Sequence, residues 1–168
     1  MKISNGQSRL IATAQSWDAE MQVRIARHQA DRAARVPGLR TVEEPLALAQ
    51  AIQDHSRPDT LLLVDCLTLW LTNWRMPMHP KDLPSSEPNQ PLAPVSVDYV
   101  ALLLEAIAAA PGPLVLVGNE IGLGVIPMGV EVRAFVDALG LLNQQVAQVC
   151  ERVTLMAAGL PLTLKAAN

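Results

Sequence analysis

Runs of about four aliphatic residues alternate along the chain with segments whose apolar positions recur at helical spacing. This pattern predicts an α/β domain with a mainly parallel sheet. Leu10–Thr13 opens it as a short strand. Trp17–Arg35 carries Met21, Ile25 and Ala26 among Asp, Glu, Arg and Gln, which predicts an amphipathic helix capped by Ser16 and ended by Pro37-Gly38. Leu39–Val42 follows as an edge strand and Pro45–Gln53 as a short helix. Leu61-Leu62-Leu63-Val64-Asp65 is the strongest strand signal, because consecutive aliphatics need cover on both faces. Leu67–Trp74 continues as a helix, and Val97–Ala110 is a helix stopped by Pro111-Gly112-Pro113. Leu114–Val117 is a second buried strand and Val130–Val149 a long helix. Arg152–Ala157 and Leu160–Leu164 are closing strands around the turn at Gly159.

Met76–Val95 breaks this rhythm with six prolines in twenty residues, too dense for a helix or a sheet interior, and is expected to be a loop. The expected organisation is an atypical segment over residues 1–8 and a single domain over 9–168, with the loop at 76–95 inside it. Composition supports one globular domain: 168 residues, 50% hydrophobic and 17% charged. Aromatics are 3%, so no row of rings exists to stack bases, and the ten arginines are scattered in a chain of net charge −3. Nucleic acid is therefore not an expected partner. Cys66 and Cys150 lie in apolar stretches and read as two buried thiols, without a disulfide, in a reducing compartment. Met1–Ser8 lacks the apolar core of a signal peptide and no run reaches the roughly 18 apolar residues of a membrane span. The expected location is the cytoplasm.

In open α/β sheets, ligands bind beyond the carboxyl ends of the strands. Asp65 falls there, directly after Leu61–Val64. It reads either as a carboxylate holding Mg²⁺ through water or as the cap of the helix starting at Leu67. Asn119 and Glu120 fall there too, after Leu114–Val117, inside Gly118-Asn119-Glu120-Ile121-Gly122-Leu123-Gly124. That stretch is either a ligand-lining loop or a plain glycine turn, and it does not match G-x-G-x-x-G. Among the three histidines, His55 and His79 sit in polar, proline-flanked turns and are expected in solvent. His28 shares a helical face with Arg24 and Arg32, four residues to either side. Two guanidiniums make a fork for phosphate oxygens and favour a neutral imidazole, which can attack phosphorus. The other reading is a surface histidine among helix charges.

Five linked segments carry a resemblance. Ile11-Ala12-Thr13-Ala14-Gln15 leads to Trp17-Asp18-Ala19-Glu20-Met21, then Arg24-Ile25 with His28 and Arg32. Val64-Asp65-Cys66-Leu67-Thr68-Leu69-Trp70-Leu71-Thr72-Asn73 comes next, then Val117-Gly118-Asn119-Glu120-Ile121-Gly122-Leu123-Gly124-Val125-Ile126-Pro127, and last Gly159-Leu160-Pro161-Leu162-Thr163-Leu164-Lys165. In this order, from about Leu10 to Lys165, they resemble the bifunctional adenosylcobinamide kinase / adenosylcobinamide-phosphate guanylyltransferase family of cobalamin biosynthesis. The resemblance implies a P-loop NTPase-like fold, a mainly parallel sheet with helices on both faces. It also implies ATP, GTP and Mg²⁺ as cofactors, adenosylcobinamide and its phosphate as substrates, and a homo-oligomer. Its kinase step phosphorylates adenosylcobinamide, and its second step moves GMP from GTP onto that phosphate through a GMP-histidine. By the same resemblance His28 is the nucleophile, and Arg32 neighbours the triphosphate. Asp65 is the metal-side carboxylate, Asn119 and Glu120 line the site, and Ala14, Gln15 and Glu43 lie near the guanine nucleotide.

Two departures qualify that implication. The family opens with a strand, a Gly-Gly-x-Arg-Ser-Gly-Lys-Ser loop and a helix, whereas no G-x-x-x-x-G-K-[ST] occurs in this chain, whose three lysines are Lys2, Lys81 and Lys165. The expected fold thus lacks its first strand–P-loop–helix unit. Such a loop supplies the cradle, the positive charge and the Mg²⁺ hydroxyl for phosphoryl transfer, so the kinase step is expected to be lost and GTP binding weakened. Pro127-Met128-Gly129 also stands where the family usually has Pro-Glu-Asn, while Arg133, Asp137, Gly140 and Asn143 keep the pattern. The alternative expectation is a truncated, catalytically inactive copy acting only as a binding or oligomerisation module.

Overall fold

The computed structural model describes residues 7–76, 97–125 and 127–166. In chain order the elements are β1 (Gln7–Ala12), α1 (Ala19–Arg35), β2 (Arg40–Glu43), α2 (Leu48–His55), β3 (Thr60–Asp65) and α3 (Leu67–Arg75). Then come α4 (Val97–Ala108), β4 (Leu114–Val117), α5 (Val130–Val149), β5 (Val153–Ala157) and β6 (Leu160–Lys165). Four strands form one parallel sheet in the order β2-β1-β3-β4, and β5 pairs antiparallel with β6 in a separate hairpin. The α/β expectation holds, and the parallel pairing follows from the helical crossovers between successive strands.

Local chemistry moves several boundaries. β1 begins at Gln7 rather than Leu10, and β2 is Arg40–Glu43 rather than Leu39–Val42. The cap of α1 is Asp18 rather than Ser16: its extended backbone lets a carboxylate oxygen accept the Met21 N–H at 2.7 Å. Trp17 therefore lies outside the helix. The predicted closing strands pair with one another rather than with the sheet. All of Met76–Val95 except Met76, and His79 with it, lies outside the described residues, as do residues 1–6.

Side chains alternate between faces along a strand, and residues in register share a face. Ile11, Leu62 and Val64 point to one face and pack with Leu48 and Ile52 of α2, Trp70 and Leu71 of α3, Leu103 of α4 and Leu139 and Leu142 of α5. That face is closed. The opposite face carries the row Leu10–Leu63–Val115, and cover fades along it: Leu10 is fully buried, Leu63 half-buried and Val115 46% exposed. Turns fix the rest. After α4, the Gly112 N–H donates to Ser56 Oγ at 3.3 Å, and a Cβ there would collide with the Arg57 carbonyl, so only glycine fits. Trp70 and Trp74 of α3 both donate their indole N–H to the Leu46 carbonyl, at 2.9 and 3.3 Å, and Trp74 stacks on Tyr99 with ring centroids 3.9 Å apart.

Candidate functional site

Because the four strands are parallel, their carboxyl ends share one edge, and the register sets Glu43, Ala12, Asp65 and Val117 in a single row across it. One residue beyond this row, Thr13 ties β1 to β3. Thr13 is fully buried, and its N–H donates to the Asp65 carbonyl at 3.0 Å. Its hydroxyl donates to the Cys66 carbonyl at 2.7 Å and accepts the Cys66 N–H at 2.9 Å. Buried Asn73 of α3 then donates to the Thr13 carbonyl at 2.8 Å and to the Pro45 carbonyl at 3.0 Å. Every polar group of Thr13 is thus satisfied, as burial demands. The knot fixes the backbone from which Asp65 on one side and Ala14 and Gln15 on the other depart.

Asp65 does not cap α3: the cap position is Cys66, and no side chain bonds there. The capping alternative is therefore overturned, because Cys66 stands between the carboxylate and the first helical turn. Instead Asp65 faces Arg32 of α1 at 3.7 Å, with the two side chains 46% and 23% exposed. Three residues before Arg32, Gln29 donates to the Glu43 carboxylate at 3.1 Å. These two contacts hold one stretch of α1 against Glu43 at one end of the row and Asp65 two strands along it. His28 lies beside Gln29 and one turn before Arg32, with its imidazole exposed. Arg32 Nε is buried without a hydrogen-bond partner among the described residues. The amphipathic α1 buries no residue fully; Met21 and Ile25 are half-covered and Ala26 is exposed.

Asn119 and Glu120 are held as a pair from two helices. Thr68, in the first turn of α3, accepts the Asn119 N–H on its hydroxyl at 2.9 Å. Asn143 of α5 donates to the Asn119 carbonyl at 3.1 Å and to the Glu120 carboxylate at 3.3 Å. The loop is therefore organised beyond a plain glycine turn. Arg133 closes its far end by donating to the Pro127 and Met128 carbonyls at 3.0 and 2.6 Å. Ile121, Leu123, Val125 and Met128 remain exposed.

Burial, reinforced by the charge of Asp65, pushes the Cys66 thiol above its ordinary 9.0, against weaker backbone hydrogen bonds from Leu69 and Thr68. Cys66 is protonated at neutral pH and acts as packing rather than as a nucleophile. Burial likewise raises Cys150, with Lys165 pulling the other way. Both thiols are free. His55 departs from its expected place in solvent: it is half-buried, and its Nδ1 accepts from Arg9 at 2.9 Å because α2 ends against the base of β1.

Thr13, Asn73, Thr68 and Gln29 were not legible as site residues. The one signal for Asn73 is an amide inside the otherwise apolar turns of Leu67–Trp74. No group of three or more His, Cys, Asp or Glu side chains among the described residues is placed to cage a metal.

The family described as cobinamide kinase / cobinamide phosphate guanyltransferase matches residues 1–164. The bifunctional adenosylcobalamin biosynthesis protein CobP of Pseudomonas aeruginosa is 46% identical over 155 residues, covering 92% of this chain and 80% of the relative. The bifunctional proteins named CobU of Salmonella typhimurium and Escherichia coli are 31% and 32% identical over 155 residues, each match covering 84% of the relative. On a match spanning nearly its whole length, the chain belongs to the cobinamide kinase / cobinamide phosphate guanyltransferase family.

Proposed function

We propose that this chain is a cytoplasmic guanylyltransferase of cobalamin biosynthesis that works through a covalent GMP-histidine on His28. An imidazole nitrogen of His28 attacks the α-phosphorus of GTP. A nitrogen–phosphorus bond forms, the bond to the bridging oxygen breaks, and pyrophosphate leaves with the electron pair. The phosphate of adenosylcobinamide-phosphate then attacks the same phosphorus and releases the histidine. The observation that carries this reading is the bracing of His28: Gln29 on Glu43 and Arg32 on Asp65 hold that turn of α1 over the strand ends.

Arg32 supports triphosphate binding, since its guanidinium stands partly exposed beside Asp65 at the strand ends, where its fork can meet phosphate oxygens. Ala14 and Gln15, fixed by the Thr13 knot, and Glu43 lie where the guanine nucleotide is expected, with Asn119 and Glu120 across the row. Asp65 fits Mg²⁺, a cation that keeps most of its waters and asks for few protein carboxylates. When bound, Mg²⁺ would neutralise charge on the triphosphate, with Asp65 reaching it through water. Among the described residues no helix is long and apolar enough to cross a membrane.

A second reading, a catalytically inactive copy that binds substrate or joins an oligomer, is favoured by one observation. The sequence holds no G-x-x-x-x-G-K-[ST]. GTP labelled at the α-phosphate separates the two. The first reading expects acid-labile label on the chain that is lost in His28→Ala; label persisting in His28→Ala refutes the nucleophile, and none in the parent chain favours the inactive copy. The ATP-dependent kinase step is expected to be absent from the 168-residue chain, and measurable phosphorylation of adenosylcobinamide would refute that.

A further inference from the structure

The last turn of α3 ties together the two segments that leave β1 and β2. Asn73 is 4% exposed, on a helix whose Trp70 and Leu71 are locked in the core. Its amide nitrogen donates to the Thr13 carbonyl, just past β1, at 2.8 Å and to the Pro45 carbonyl, just past β2, at 3.0 Å. A primary amide carries two N–H groups in one plane, so each proton serves one segment and a single rigid group sets the separation of the two carbonyls. Asparagine suits this place, because a lysine or arginine would bury a charge and a serine has only one proton to give.

The segment past β2 is itself stiff. Glu44 donates its N–H to the Ala12 carbonyl at 3.0 Å, and its carboxylate accepts the Leu46 and Ala47 N–H groups at 3.0 and 2.8 Å. The indoles of Trp70 and Trp74 hold the same turn, but only through the Leu46 carbonyl. Among the described residues, Asn73 is the side chain that bonds both exits. Ala14 and Gln15 follow Thr13 directly, and Glu43 stands two residues before Pro45.

We propose that Asn73 is a positioning residue for the guanine nucleotide, setting the gap between the Ala14-Gln15 segment and Glu43 in which the base lies. This rests on the reading of those three residues as the guanine end of the site. Buried as it is, Asn73 acts through the two segments rather than by contact. A carboxylate can accept both the N1–H and the 2-amino group of guanine, so Glu43 reads the base only when its backbone stands at the right distance from the facing segment. Gln29, donating to Glu43 at 3.1 Å, turns the carboxylate, and Asn73 fixes where it starts from.

The probe is GMP, which carries the base and the α-phosphate and needs no triphosphate cradle, titrated into the purified 168-residue chain beside IMP, which lacks the 2-amino group. The parent chain is expected to bind GMP more tightly than IMP. Asn73→Ala weakens GMP by about tenfold or more and brings it level with IMP, since a misplacement of about 1 Å is costly where several contacts must be met together. Asn73→Ser, whose hydroxyl serves one carbonyl at a time, falls between. Trp74→Phe is the control for a merely structural effect: it loosens the same turn at Leu46 and leaves Thr13 alone, so it lowers thermal stability without changing the ratio of GMP to IMP affinity. A further readout needs no variant. On addition of GMP the side-chain amide protons of Asn73 shift in nuclear magnetic resonance spectra, whereas those of Gln50, bonded to Asp54 within α2, stay in place. Folded Asn73 variants that keep the parent's affinity ratio overturn the proposal and leave the nucleotide reading standing, as do Asn73 protons that ignore bound GMP or a Trp74→Phe chain that loses the ratio equally. A parent chain that binds neither nucleotide, or both alike, overturns the reading of Glu43 and the proposal with it.

Discussion

At the carboxyl ends of β1 and β3, Thr13 satisfies all of its polar groups, and Ile11, Leu62 and Val64 beneath it are fully buried. One strand further along, β4 turns two N–H and two C=O groups to an edge with no paired strand among the described residues, and its valines meet water. The sheet is therefore closed at its central strands β1 and β3 and open at β4 among the described residues, and the boundary falls between Asp65 and Val117 within one register row. Elements that hold the candidate nucleophile depend on the finished side. Asn119 and Glu120 depend on the open side, where Thr68 and Asn143 reach across to steady them. The difference teaches that this site is anchored asymmetrically, with the backbone at its sheet ends tied by buried hydrogen bonds and its loop held by helices.

Substitutions can break that contrast, beginning with the finished side. Thr13→Val keeps the shape but leaves the Cys66 N–H buried without a partner and takes one of two donors from the Cys66 carbonyl, which still accepts the Trp70 N–H at 3.1 Å, so it should cost about 1–3 kcal/mol in denaturant unfolding; no measurable loss would mean the knot is not closed in solution. Next in size is an alkaline effect. The folded Cys66 pKa is raised, so its contribution to stability is intact below the ordinary value of 9.0 and is lost as pH climbs through the folded value. Stability measured between pH 8 and 11 should fall, and Cys66→Ala should flatten part of that fall, with Cys150 retaining its own share by the same sign. An unchanged alkaline limb in Cys66→Ala would show that the thiol is not buried as described. Smallest is Leu162→Ser on the bare hairpin, where little apolar contact exists to lose. It should shift stability by no more than about 0.5 kcal/mol, and a larger loss would show that the hairpin packs against something.

The strands of the sheet were legible because a four-aliphatic run such as Leu61–Val64 has no other stable home than a sheet interior. The carboxyl-end row was legible for a related reason, since Asp65 and Asn119 each stand where an apolar run stops. What escaped reading depended on partners distant in sequence. Thr13 bonds to Cys66 and Asn73, fifty-three and sixty residues away, and nothing near Thr13 announces it. The cap of α1 went to Asp18 over Ser16 because backbone geometry, settled only on folding, chose between two good candidates. Pairing of β5 with β6 was readable from the turn at Gly159, but their separation from the main sheet was not, because alternation along a strand says nothing about which edge it meets. His55 was misplaced for the same reason: Arg9 lies forty-six residues before it.

Two of the chain's three indoles, Trp70 and Trp74, converge on one carbonyl, that of Leu46. Asn73 between them grips the neighbouring Pro45 carbonyl and Thr13. Intrinsic fluorescence thus reads a single junction, where the end of β1, the turn before α2 and the last turn of α3 meet. Trp17 stands apart at the approach to α1 and to His28. The molecule carries its own optical label for the packing of its strand ends, with a second one beside the helix that presents the histidine.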